Sequence, residues 1–367
     1  MKNDKKVKRF LFLAISKGML IAFLILILLA VPTVKIVVDN KDKLSQKFFG
    51  VKAEFQGVLT LWNIDTFEGG TVGKSYFLET VASKFEKKQK GALIKVENLS
   101  ISQMQESLKA GILPDMVSFG TGLGKYFVND LLPYDDTISK NILSSFLSAG
   151  IYDGKVLAVP LMTGTYTLIS TTEKIQNAGK EYNKDLKELA LELGYTKKFR
   201  KSEKQIYSLT FGQNEYSGAF DTFSREFSEQ SLEVLISENI VDPKCKSQTP
   251  YNAYETFVKG EASVLLGSQR DVVRMENRKM AGKENDVIYY PLKEYTDLVQ
   301  LFGICTKDIK KYKVCTSFTE FLISDQVQKT LCDVGMFSVN GKKYYTDGAL
   351  KLLESVITEK TKVRNGF

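Results

Sequence analysis

Residues 58–91 read VLTLWNIDTFEGGTVGKSYFLETVASKFEKKQKG. An apolar run, 58–63, precedes a glycine-rich break, and Phe77, Leu78, Val81, Ala82 and Phe85 then recur at helical spacing before Gly91. The spacing predicts a buried strand, a turn, and an amphipathic helix over 75–90 stopped by a glycine. The break, GGTVGKS, invites a nucleotide-binding reading. A phosphate loop needs Gly-x-x-x-x-Gly-Lys-Ser, and with Gly73-Lys74-Ser75 as its end the first glycine falls on Glu68. A carboxylate would stand where backbone must approach phosphate, and starting at Gly69 leaves the loop one residue short. The stretch therefore reads as a strand-to-helix turn, its glycines serving the turn and Ser75 the helix start.

The same alternation continues outward. Residues 93–98 read as a strand, 103–110 as a helix with Ser100 or Ser102 as cap and Gly111 as stop, and 116–119 as a third strand behind Pro114-Asp115. Strand, helix, strand, helix, strand predicts a parallel sheet covered by helices, which binds ligands beyond the carboxyl ends of its strands. Two apolar runs, 156–162 and 166–170, are separated by Thr163-Gly164-Thr165, a break suited to a crossover between lobes. Helices are expected at 184–193, 220–227, 231–238 and 251–259, then a strand at 262–266 running into Gly267-Ser268-Gln269-Arg270-Asp271. Strands at 287–290 and 299–305 and helices at 310–323, 325–334 and 348–358 complete the chain.

The charge lies at one end. Residues 1–56 hold eleven of the 51 Lys and Arg and four of the 43 Asp and Glu, leaving 40 basic against 39 acidic residues beyond them. A folded nucleic-acid binder gathers its basic residues on the domain, so no nucleic-acid partner is expected. Residues 18–34, GMLIAFLILILLAVPTV, carry no charge and are flanked by further apolar residues, long enough to span a hydrocarbon core. A cleaved signal peptide is the alternative, for which Ala30-Val31-Pro32-Thr33 offers a poor site. The favoured reading is a cytoplasmic segment over 1–17, an uncleaved anchor over 18–38 and a polar stalk over 39–56, with the folded part outside the cell. Cys245, Cys305, Cys315 and Cys332 are widely spaced and read as buried free thiols. The chain has no histidine, which removes Ser-His-Asp and Cys-His nucleophiles and histidine zinc sites. Neither a cofactor nor a metal site is expected. An enzyme would have to rely on carboxylates, such as Asp65 with Glu68 or Asp135-Asp136.

From about residue 57 onward the chain resembles the extracellular solute-binding proteins of ABC importers, in the group similar to maltose-binding protein. The resemblance rests on LTLWNID with the helix that follows, ILPDMVSFG with Asp115, GKVLAVPLMTGTYTLIST, TPYNAYETFVKGEASVLLGSQRD, and VCTSFTEFLISDQVQKTLCDVGMFSVN. It implies an α/β, two-lobe periplasmic-binding-protein-like fold of type II, with a first lobe of 57–162 plus 291–323 and a second of 163–290 plus 324–367. It also implies that the lobes close on a small polar solute, expected to be a carbohydrate, for delivery to ABC permease subunits. The chain departs from the group in carrying a membrane span and in having a single tryptophan. An anchored ligand sensor without a transporter and a carboxylate-dependent enzyme stand as alternatives.

Trp62 and Asp65, at the end of the first strand, are expected to offer a ring face and a carboxylate to a ligand, against a core tryptophan and an Asx turn. Glu68 and Lys74 read as solvated charges near the cleft mouth. Asp115 reads as a loop tie. Gly120 and Thr121 lie where backbone amides can meet a polar ligand. Thr165, Tyr166 and Tyr216 are candidates from the second lobe. Arg270, after the strand at 262–266, is expected to grip an anionic or polyhydroxylated ligand, against a salt bridge with Asp271 or Glu276.

Overall fold

The computed structural model describes residues 55–177, 207–216, 218–227, 231–284 and 286–367. The anchor expected over 18–38, the stalk up to residue 54 and the helix expected at 184–193 lie outside the described residues. No helix among the described residues is long and apolar enough to cross a membrane.

Two larger sheets organise the described residues. The first is five-stranded, in the order β2 (Ala92–Asn98), β1 (Gly57–Ile64), β3 (Met116–Gly120), β12 (Val299–Ile304), β6 (Val159–Thr163). Its β1 runs parallel to both β2 and β3, pairing Leu61 with Val96 on one side and Met116 on the other. The late strand β12 enters antiparallel between β3 and β6. The second sheet is four-stranded, in the order β10 (Val287–Pro291), β7 (Tyr166–Thr171), β9 (Ala262–Ser268), β8 (Tyr207–Thr210). Two short pairs complete the strands: β4 (Ile151–Tyr152) with β5 (Lys155–Val156), and β11 (Tyr295–Thr296) with β13 (Lys362–Val363).

Apolar periodicity explains the layers. The helix Lys74–Lys88 buries Phe77, Leu78, Val81, Ala82 and Phe85 on one face, beside Leu59 and Leu61 of β1. Phe85 meets Phe318 of the helix Ile309–Leu322 edge to face, with centroids 5.1 Å apart. Each ring so buried contributes roughly 1.5–3 kcal/mol from area alone. The helix Ile101–Lys109 starts in a reciprocal capping box between Ser100 and Gln103, as the first of the two expected caps. The helix at the glycine-rich break begins one residue early, at Lys74, with Gly73 as an N-cap that makes no side-chain bond; Ser75 is not the cap.

The sheets are joined by chain segments lying side by side. Gly164 carries β6 into β7, and its amide donates to the Leu298 carbonyl at 2.6 Å. Leu298 belongs to the return segment between β10 and β12, whose Thr296 hydroxyl donates to the Gly164 carbonyl at 3.1 Å. Thr163 and Phe337 exchange backbone hydrogen bonds, setting a third segment against the first two. Residues 325–336, expected with the second lobe, pack with the first: Val327, Leu331 and Val334 join the apolar layer of Leu59, Phe77 and Phe318. The helix Gly348–Ser355 contributes Leu353 to the cluster that holds Phe257, Val272 and Met275.

Candidate binding cleft

A cavity of about 390 Å³ opens between the two sheets. Asp65, Thr66, Phe67 and Glu68, in the loop leaving β1, line one wall. Tyr166, Leu266, Gly267 and Ser268, at the ends of β7 and β9, and Asp271, in the first turn of the helix Gln269–Met280, line the other with Gly212, Asn214, Thr249, Pro250 and Tyr251. Leu298, on the return segment, lines it as well. The lining thus joins three carboxylates, three aromatic rings, hydroxyls and an amide, a set that can accept from and stack on a polyhydroxylated molecule.

The loop from β1 is shaped by glycines and by one buried cation. A Cβ on Gly69 would sit 2.3 Å from the Val72 carbonyl oxygen, and one on Gly70 would sit 2.1 Å from that of Gly335. Gly335 itself has φ of 69° and would collide with Gly70 in turn. The Gly-Gly pair therefore serves a tight turn and a backbone-to-backbone approach. Lys74 is fully buried, in contrast to the solvated charge expected there. Its Nζ donates to the Phe67 carbonyl at 2.7 Å, stands 3.4 Å from Asp65 Oδ1, and lies 3.3 Å from the centroid of the Phe67 ring. Burial pushes its ammonium down from 10.5 to about 8, against the opposing attraction of Asp65 and Glu68.

The second lobe reaches across to this loop. Arg270 Nη1 donates to the Gly70 carbonyl at 2.7 Å and to that of Thr71 at 2.9 Å. Arg274 takes both oxygens of Glu68 at 3.0 and 3.1 Å while also holding Asp271 at 2.8 Å. Gln269 Nε2 donates to the Glu68 carbonyl at 3.1 Å, and Asn214 Nδ2 to that of Thr66 at 3.2 Å. Burial raises the Asp271 carboxyl above its ordinary range, opposed by the Ser268 amide and Arg274.

Of the residues singled out in the sequence, Asp65 and Tyr166 line the cavity. Asp65 is also held by Asn63 Nδ2 at 3.1 Å, and the Tyr166 hydroxyl donates to Asp297 Oδ1 at 3.0 Å. Glu68, expected as a solvated charge near the cleft mouth, lines the cavity too, and the other candidates lie outside the lining. Trp62 is a core residue, 4% exposed, whose indole N–H donates to Glu97 Oε2 at 3.1 Å. Gly120 packs against the Thr66 side chain, and the Thr121 hydroxyl donates to the Asp297 carbonyl at 2.7 Å. Thr165 sits in the crossing, its hydroxyl bonded to the Leu292 carbonyl at 3.2 Å and its amide to Gln269 Oε1 at 3.3 Å. Tyr216 is buried, with its carbonyl accepting from Arg364 at 3.0 Å. Arg270 is turned to the facing loop; neither Asp271 nor Glu276 pairs with it, since Asp271 holds Arg274 and Glu276 accepts from the Tyr289 hydroxyl. Asp115 ties its loop, receiving the Thr60 amide and the Lys311 ammonium, both at 2.9 Å. The four cysteines are free thiols, three of them buried.

Phe67, Asn214, Tyr251 and Asp271 escaped the sequence reading. Phe67 lies two residues beyond Asp65 in the same loop, and Tyr251 follows Pro250 at the first turn of the helix Pro250–Val258; position relative to strand ends was the available signal.

A family model for bacterial extracellular solute-binding proteins matches residues 80–340. The chain belongs to that family. Comparison with curated protein sequences gives no match. Among solved structures, this solute-binding chain is similar to the sugar-binding protein MalE from the phytopathogen Xanthomonas citri, with 16% identity and a TM-score of 0.63 over 84% of this chain and 86% of that one. It is similar to the GacH receptor of Streptomyces glaucescens, solved unliganded and with acarbose, at 16% identity and a TM-score of 0.59 over 84% and 88%. Thiaminase I from Bacillus thiaminolyticus is similar too, at 12% identity and a TM-score of 0.58 over 84% and 94%. At these identities the likeness is one of fold: a solute-binding protein of two α/β lobes.

Proposed function

We propose that the protein is an extracellular solute receptor that closes its lobes on a small polar ligand, a carbohydrate, and delivers it to the permease of an ABC importer, with residues 18–38 holding it at the membrane. The observation that carries this reading is the cleft itself, whose lining comes from both sheets: Asp65 to Glu68 from one, Tyr166, Tyr251 and Asp271 from the other. A molecule seated there touches both lobes only when they are together, so its binding energy favours the closed state. Carboxylates and flat rings suit hydroxyl-bearing rings, and proteins of the same fold are described as a sugar-binding protein and as a receptor solved in complex with acarbose. Family membership favours an extracellular location.

The test is a thermal-shift and calorimetric screen of the full chain against mono- and oligosaccharides, polyols and amines. A saturable ligand at a hundredfold excess over its Kd adds about 2.7 kcal/mol of stability. Asp65→Asn and Tyr251→Ala should each weaken that ligand roughly tenfold or more, the usual scale for a cleft contact. Unchanged affinity in both variants would move the ligand site elsewhere.

A further inference from the structure

Hydrogen bonds from Asn214, Gln269, Arg270 and Arg274 cross the cleft to residues 66–71, and Gln269 also donates to Met336 Sδ at 3.5 Å. That loop is the part of the first lobe that the second one grasps, mostly through carbonyl oxygens, so its backbone shape decides whether the grasp can form. From behind, the carbonyl of Phe67 is held by Lys74, and Thr71 is held by the Val334 carbonyl through its amide and the Asp333 carbonyl through its hydroxyl. We propose that Lys74 is a positioning residue for lobe closure: its buried ammonium, bonded to Phe67 and paired with Asp65, holds the 65–71 loop in the form the second lobe grips. The proposal rests on the two-lobe closing reading and adds to it a residue that touches neither the cavity nor the opposite lobe.

The chemistry makes this testable through the charge. The charged groups that face Lys74 are Asp65 and Glu68; Glu68 is tied in turn to Arg274, which also holds Asp271. A neutral amine keeps a hydrogen bond to the Phe67 carbonyl but loses the ion pair with Asp65 and the attraction of a cation to the ring. The ammonium gives up its proton near pH 8 because burial disfavours the charge. Below that pH the loop is pinned; above it the pin is weakened. Stability from the same group moves the opposite way: the folded state releases the proton at lower pH than the unfolded one, so the Lys74 contribution to stability rises between about pH 8 and 10.5. Closure that weakens while stability improves separates a positioning role from a merely structural one.

Spin labels on Lys84→Cys and Lys279→Cys, exposed on the two lobes, in a Cys332→Ser background, report lobe separation in the full chain in detergent without ligand. The expected result is a closed-to-open ratio that falls roughly tenfold from about pH 7 to about pH 9.5. In Lys74→Met the ratio should be low and independent of pH. A ratio in the unsubstituted protein that does not change over this range overturns the proposal without requiring any variant to fold. So does a Lys74→Met protein that keeps the same pH dependence, or a protein that stays open at both pH values. Because no sugar is present, failure of the saccharide screen bears on the receptor reading alone.

Discussion

At the residue scale, Lys74 and Asp115 are both buried ionic residues with opposite demands. Asp115 is 8% exposed and receives the Thr60 amide as well as Lys311, so Asp115→Ala strands partners and should cost about 3 kcal/mol in urea unfolding. The partner of Lys74, Asp65, is 43% exposed and can be served by water, so Lys74→Met should leave stability at neutral pH unchanged or raised. The difference in unfolding free energy between the unsubstituted protein and Lys74→Met should then shift by up to about 3 kcal/mol in favour of the former between pH 8 and 10.5, followed by calorimetry. The sequence showed that Asp115 ties a loop, because an acid behind Pro114 at a strand entrance has a local job. It showed neither the burial of Lys74 nor the core position of Trp62. Burial at a strand's end depends on what covers it, and Trp62 belongs to a core cluster that also holds Val117, Phe119 and Leu123 from later in the chain.

At the element scale, apolar period and punctuation carried most of the reading. Helix Lys74–Lys88 and strand β1 lie within a residue or two of where spacing put them, since five buried side chains at helical intervals admit no other element. The glycines of the break were legible as a turn, whereas the approach of Gly70 to Gly335 was not, because it joins positions far apart in sequence. This gives a paired prediction. Gly335→Ala adds a Cβ 2.7 Å from Gly70 Cα on top of a left-handed backbone and should cost about 3 kcal/mol or more by urea denaturation. Gly111→Ala has a similar φ, 72°, with open space around it, and should cost about 1 kcal/mol from conformation alone.

At the scale of the whole molecule, the alternation of strands and helices up to residue 119 pointed to a parallel sheet, which β1, β2 and β3 form while most pairs of the second sheet are antiparallel, and the resemblance supplied two lobes. The lining of the cleft was only partly legible, since Phe67 and Tyr251 become neighbours only when lobes assemble. The return of residues 325–336 to the first lobe was equally hidden: their apolar stripe fits any helical layer, and the choice is made by contact with Phe77 and Phe318. The grip between lobes is partly ionic, with Glu68 49% exposed, so added salt should open the ligand-free protein. Spin-label distances at low and high salt check this, and Arg274→Ala should remove most of the salt response.

Strand β12 lies between β3 and β6, yet its residues follow all four strands of the second sheet in the chain. A chain emerging amino end first, from ribosome or translocation channel, therefore holds an unfinished first sheet until residues 299–304 are out. Until then β3 and β6 each present an unpaired edge with no bonds to one another. Such late, long-range closure slows folding. The sheet begun by the first described strand is thus completed by one of the last, after the second sheet has been made.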